Sequence, residues 1–154
     1  MMSVNIDETD RRILRLLQQD ASLSVDAVSE RVALSRNACW RRIKQMEDRG
    51  ILRGRVALAD PRALGCGLQV VVLVRTSNHD ADWLDRFHRA VESLPEVLSA
   101  YRMSGDLDYL LRVRVADVAG YDAFYKKLIA RVPLSDISAS FVMEEIKETT
   151  ALPV

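Results

Sequence analysis

Between Val32 and Arg36 the chain has only Ala33-Leu34-Ser35 in which to end one amphipathic segment and begin the next. Val25, Val28 and Val32 recur at helical spacing before that turn, and Cys39, Ile43 and Met46 recur at i, i+4 and i+7 after it. Two short helices joined so tightly fit a helix-turn-helix. Ser35 is placed to cap a helix running to Arg49, with Gly50 where a C-terminal glycine belongs. A preceding helix, capped by Asp7 and bearing Ile13, Leu14, Leu16 and Leu17, completes a three-helix group, and Ser24 is placed to cap the middle member.

The formal net charge of the 154 residues is zero, which taken alone counts against a nucleic-acid binder. The charge is not evenly spread. Residues 1–30 carry three arginines against six acids, whereas residues 31–55 carry seven arginines and one lysine against two acids. A basic block of this kind attracts phosphates. On the helix after the turn, steps of 100° put Asn37, Arg41, Lys44, Gln45 and Asp48 opposite the apolar stripe, with Arg36 and Arg42 at its flanks. Basic and amide side chains on an outer face suit a major-groove reader, because Arg and Lys bond guanine or phosphate and Asn and Gln bond adenine. Ser35, Arg36, Asn37, Arg41, Arg42 and Lys44 are therefore the expected DNA contacts of this helix. Ile51–Val56 turns strand-like and is expected to form a short β-wing, bringing Arg53 and Arg55 to the DNA backbone. Cys39 lies on the apolar stripe and is expected in the core; Trp40 flanks it and is expected to pack rather than to meet bases.

Pro61, Gly65 and Gly67 mark residues 59–67 as a linker. Leu68–Val74 is almost unbroken apolar sequence, which reads as a strand covered on both faces, one by helices and the other by a partner subunit. A helix over 80–94, strands over 97–104 and 109–115 joined by Gly105-Asp106-Leu107-Asp108, a helix over 118–132 and a strand over 137–145 complete the order. Apolar positions Leu84, Phe87, Val91 and Leu94 define the first of these helices, and Val118, Tyr121, Tyr125, Leu128 and Val132 the second. The order β-α-β-β-α-β is the ferredoxin-like arrangement. The expected fold class is α+β: a winged helix-turn-helix over 1–58, a linker over 59–67, and a small βαββαβ domain over 68–154, to which the resemblance described below assigns ligand sensing and oligomerisation.

No apolar run is long enough to span a bilayer, and the first residues have no signal-peptide pattern, so a cytoplasmic location is expected. Two cysteines, Cys39 and Cys66, cannot build a disulfide framework. An enzyme finds no support: His79 and His88 are nine residues apart, lack a nucleophile motif and do not form a metal pair, and no phosphate-binding glycine motif occurs. Neither a cofactor nor a metal is expected.

Ile6-Asp7 with Asp10 and Ile13-Leu14, Leu34-Ser35 with Cys39, Arg42, Ile43, Glu47 and Gly50-Ile51, the run Ser104–Leu111, and Val142–Lys147 together resemble the Lrp/AsnC family of transcription regulators. The resemblance covers nearly the whole chain. It implies double-stranded DNA as a partner, a C-terminal RAM-type domain, pairing through the C-terminal sheets into dimers and further into octamers, and amino-acid binding at subunit interfaces. It also implies effector contacts at Gly105, Asp106, Asp108, Tyr109, Ser140 and Phe141. A carboxylate such as Asp108 can hold an α-ammonium group, and a glycine lets backbone N–H groups approach an α-carboxylate. The competing reading is that Asp106 and Asp108 only shape a hairpin. Cys39-Trp40 and the segment Lys147–Pro153 resemble the subgroup of cysteine-responsive regulators, making L-cysteine the leading effector. An architectural DNA-wrapping protein with little effector control is the alternative.

Overall fold

A computed structural model of the protein describes residues 6–154. They form two compact units: the chain up to Leu58 together with Lys147–Val154, and Ala59–Ile146. In the first, α1 (Glu8–Gln19), α2 (Val25–Val32) and α3 (Arg36–Asp48) follow the expected caps. Asp7 accepts from the Asp10 N–H at 2.8 Å, Ser24 from Ala27 at 3.1 Å and Ser35 from Ala38 at 3.3 Å. The α2–α3 turn closes with Ala33 in the left-handed region at φ +56° and the Leu34 N–H bonded to the Ser29 carbonyl. Ile13, Leu14, Leu17, Val28, Val32, Cys39, Ile43 and Met46 make one buried cluster.

Two expectations for this region need correction. Ile51–Val56 forms no strand: the Ile51 and Leu52 N–H groups both donate back to Met46 O, and the chain beyond has no ladder partner among the described residues. A strand cannot exist without a second strand to take its hydrogen bonds. The second concerns Lys147–Val154, which was expected with the C-terminal domain but packs with the helices. The Gln18 side chain donates to Leu152 O at 3.2 Å and accepts from Leu152 N at 2.7 Å, Arg15 Nη1 donates to Val154 O at 2.9 Å, and the Val154 side chain lies against the buried cluster.

The second unit is a four-stranded antiparallel sheet, order β2-β3-β1-β4, built from β1 (Leu68–Arg75), β2 (Val97–Arg102), β3 (Tyr109–Val115) and β4 (Asp136–Phe141). The helices α4 (Ala81–Glu92) and α5 (Val118–Arg131) supply Trp83, Phe87, Ala90, Phe124 and Leu128 to a core with Val70, Val72, Val74, Leu111 and Val113. β3 alternates buried and half-buried residues along its whole length. The order β-α-β-β-α-β is as expected, but both helices are rotated from the expected stripes. Trp83 is buried because its Nε1–H reaches Pro133 O at 2.7 Å, leaving no polar group unpaired. Phe124 fills the core from α5 while Val118, at the helix start, is exposed. β4 stops at Phe141, not Glu145, because β1 begins at Leu68: the Val142 N–H takes Gln69 O and then the ladder has no further partner.

The other face of this sheet presents Val71 and Leu73 of β1, Leu110, Arg112 and Arg114 of β3, Tyr101 of β2, and Ser138 and Ser140 of β4. No element of this unit covers it. Val71, Leu73 and Leu110 put half-buried apolar surface at its centre. Among the described residues, no helix is long and apolar enough to cross a membrane.

Candidate DNA-binding face and effector site

The outer face of α3 consists of Arg36, Asn37, Trp40, Arg41, Lys44, Gln45 and Asp48, all exposed. Its cations differ in how far they are committed. Arg41 has no ion pair among the described residues. Arg36 meets Asp26 at 2.9 Å and Lys44 meets Asp48 at 3.0 Å, both solvent-exposed pairs. Such pairs contribute little to stability, so exchange of the carboxylate for a phosphate is cheap. The Lys44 ammonium is pushed up by its Asp48 partner and stays charged. Ser35 uses its oxygen as the helix cap and retains its O–H as a donor.

Arg42 must be withdrawn from the face. Its Nη1 bonds both Asp7 Oδ2 at 2.7 Å and Asp10 Oδ1 at 2.8 Å, tying α3 to the start of α1. The side chain projects towards α1, where the two carboxylates of a capping box already gather. These carboxylates, Asp10 first, raise the Arg42 guanidinium, and the Asp10 N–H and then Arg42 hold the Asp7 carboxyl below its usual range. Arg53 is exposed, and Arg55 meets Glu47 at 3.4 Å; without a β-wing, neither is held by a ladder. Trp40 is the second correction: 57% of it is exposed, so it does not pack as expected. Cys39 is fully buried, and that burial pushes its thiol up and keeps it unreactive.

The expected effector residues fall into two groups. Gly105 lies at φ +114°, a conformation glycine adopts without strain, and open space surrounds it, so backbone shape rather than crowding selects it. The Asp108 N–H donates to Val74 O, and one Asp108 carboxylate oxygen accepts from Thr76 N at 2.8 Å. The other oxygen stands 3.9 Å from His79 Nε2. The Asp106 carbonyl accepts from Arg75 Nε at 3.0 Å, and Ser77 N donates to Ser135 Oγ at 2.7 Å beside the same turn. The sequence reading does not single out Thr76, Ser77 or Ser135, and weighs His79 only as an enzyme or metal residue; the small polar run after a strand is the available signal. Tyr109, by contrast, turns its ring into the core, 3% exposed, with its centroid 4.3 Å from that of Phe87.

Ser140 and Phe141 are not brought to this turn. They pair with Val71 and Val70, whereas the turn abuts Val74–Thr76. Four strand positions separate the groups, about 13 Å at the usual rise. Phe141 instead sets its ring edge-on to Tyr121 at 5.5 Å. Near that far end lies a cavity of about 400 Å³ lined by residues 60–62 and 142–145 with Gly67, Gln69 and Arg114. Arg114 and Glu145 close part of it with a 2.7 Å ion pair. Among the described residues there is no cluster of His, Cys, Asp and Glu suited to a metal.

A helix-turn-helix with an exposed basic and amide face, joined to a βαββαβ domain, defines a DNA-binding protein with an appended α+β domain. The comparisons agree: the winged helix-turn-helix DNA-binding family matches residues 6–53, and the Lrp/AsnC ligand binding domain matches residues 69–152. The chain belongs to the Lrp/AsnC family of transcriptional regulators. It is 51% identical to the DNA-binding transcriptional activator DecR of Escherichia coli (strain K12), over 97% of this chain and 99% of that protein. The crystal structure of an AsnC family transcriptional regulator from Agrobacterium tumefaciens superposes with a TM-score of 0.93 at 52% identity, covering 96% of each chain. A second, the regulator NMB0573 of Neisseria meningitidis in complex with L-Met, gives 0.92 at 39% identity and 97% of each chain. The protein is thus a DNA-binding transcriptional regulator with an amino-acid ligand-binding domain, and its family is one of regulators rather than enzymes.

Proposed function

We propose that this protein binds specific DNA sites as a homo-oligomer and that a small amino acid modulates that binding. Ser35, Arg36, Asn37, Arg41 and Lys44 contact DNA from α3, with Arg53 and Arg55 reaching the backbone. The observation that carries the assembly is the uncovered sheet face, with Val71, Leu73 and Leu110 at its centre. A second copy of the same sheet covers it, and dimers associate further, to octamers in the fullest case. The separation of Gly105–Asp108 from Ser140 and Phe141 supports an effector site completed between subunits, because one chain leaves its two parts about 13 Å apart. Asp108 holds the effector's ammonium through the oxygen not committed to Thr76. L-cysteine is the first effector to test, on the resemblance of Cys39-Trp40 and Lys147–Pro153 to cysteine-responsive relatives, beside L-methionine, which the Neisseria relative holds. The site of action is the cytoplasm, where the DNA is.

The test is calorimetric titration of the purified protein with the twenty amino acids, followed by DNA binding with and without any that bind. One should bind and shift DNA affinity, and Asp108→Ala should remove that shift while leaving basal affinity intact. An architectural DNA-wrapping protein would bind none of them. Equal loss of both responses in Asp108→Ala would instead assign the residue to the hairpin. A ligand can shift DNA binding only through its different affinity for two assembly or domain states, so the shift measures that difference.

A further inference from the structure

We propose that Trp40 reads DNA sequence directly, its indole lying against the C5-methyl group of a thymine in the major groove. This rests on the reading of α3 as the recognition helix. The stripe beneath α3 is already filled by Cys39, Ile43 and Met46, and Trp40 stacks on no aromatic ring among the described residues. More than half of its surface is open, on a face otherwise made of charged and amide side chains. An apolar ring left in water there loses solvation free energy that a dry contact would recover.

Its position on the helix narrows the contact. Asn37 lies at i−3, Arg36 at i−4 and Lys44 at i+4, so three donors share its side of the helix. When these side chains engage base edges and phosphates, the indole is carried into the groove with them. Arg36, Arg41 and Lys44 outnumber Asp48 on this face, so the surface that meets DNA is cationic. Trp40 also sits in the N-terminal half of α3, the end that meets base edges in helix-turn-helix proteins. In the major groove the apolar group offered by a base is the thymine methyl, and its contact distinguishes thymine from cytosine.

The test starts from a duplex selected from random-sequence DNA by the wild-type protein. Each thymine is replaced in turn by uracil, which lacks only the methyl. One or two replacements should weaken wild-type binding about fourfold, the worth of one buried methyl. Trp40→Ala should bind the selected duplex roughly tenfold more weakly, and then be indifferent to the same uracils. Asn37→Ala and Arg41→Ala serve as controls on the helix itself. If those two weaken binding and Trp40→Ala does not, the inference fails and the recognition helix stands. If all three bind as wild type, the recognition-helix reading fails and takes the inference with it. A uniform loss in Trp40→Ala on every duplex, with uracil sensitivity retained, would make the contact one with the backbone and overturn sequence reading. A change in oligomeric state with unchanged uracil response would assign the indole to a second copy of the chain. Because the side chain is exposed, Trp40→Ala should keep the wild-type circular dichroism.

Discussion

The two units meet the demands of their chemistry differently. The helical unit presents a continuous outer face from one chain, with every member on α3 and every member exposed. The sheet unit leaves one face uncovered, and the residues expected to hold an effector stand at opposite ends of β1. On the proposed function, contact with one DNA half-site is a property of a single chain, whereas sensing belongs to the assembly.

The strongest way to break that contrast is to charge the open sheet face. Leu73→Asp should preserve the fold, since Leu73 faces away from the core, but raise the dissociation constant of the oligomer by a hundredfold or more, because an unpaired carboxylate would be buried. Sedimentation and amino-acid titration should fall together; retained effector binding by a monomer would end the comparison. On the helical side, Asn37→Ala and Arg41→Ala should each weaken specific DNA binding about tenfold, the range of one good base contact, without altering assembly. Arg41→Ala should also reduce the salt dependence of binding if it meets a phosphate.

Smaller effects separate scaffold from face. Arg42→Ala should lower the melting temperature through loss of its two carboxylate partners, and weaken all DNA binding only as far as the helical unit loosens. The pH response has a definite sign. The Asp7 carboxyl is held low, so the unfolded chain takes up its proton at higher pH than the folded chain does. Stability from this group is therefore complete above about pH 4 and is lost as pH falls through the depressed folded value. Asp7→Asn should flatten that acid limb in a series of thermal melts. Tyr109→Phe is expected to change least. The Tyr109 hydroxyl is enclosed without a hydrogen-bond partner among the described residues, so its removal should be neutral or stabilising by up to about 1 kcal/mol. Loss of effector binding in that variant would restore Tyr109 to the site.

Local signals in the sequence sufficed for the caps at Asp7, Ser24 and Ser35, the stripe Cys39-Ile43-Met46 and the order of the elements, because each depends on neighbours within a turn or two. They failed where the deciding partner lies far along the chain. Arg42 reads as a face residue until Asp7 and Asp10, 35 and 32 positions away, are seen to hold it. Trp83 reads as outside the stripe until Pro133, 50 positions on, supplies its acceptor. Ser140 and Phe141 could be assigned by resemblance but not located, since the register of β4 on β1 is a tertiary fact.

The helical unit is made of two stretches of chain, and Gln18 meets Leu152 across 134 positions. Residues 60–62 and 142–145 line one cavity, so the sheet domain begins and ends at adjoining points. It is in effect an insertion into a smaller protein. Neighbouring ends make such an arrangement inexpensive, because the folded insert closes the long loop for the residues that flank it. A polypeptide ending at Leu58 is consequently an incomplete reader. Splicing Leu58 to Lys147 through a short glycine-serine spacer should give a miniature that melts above the simple truncation.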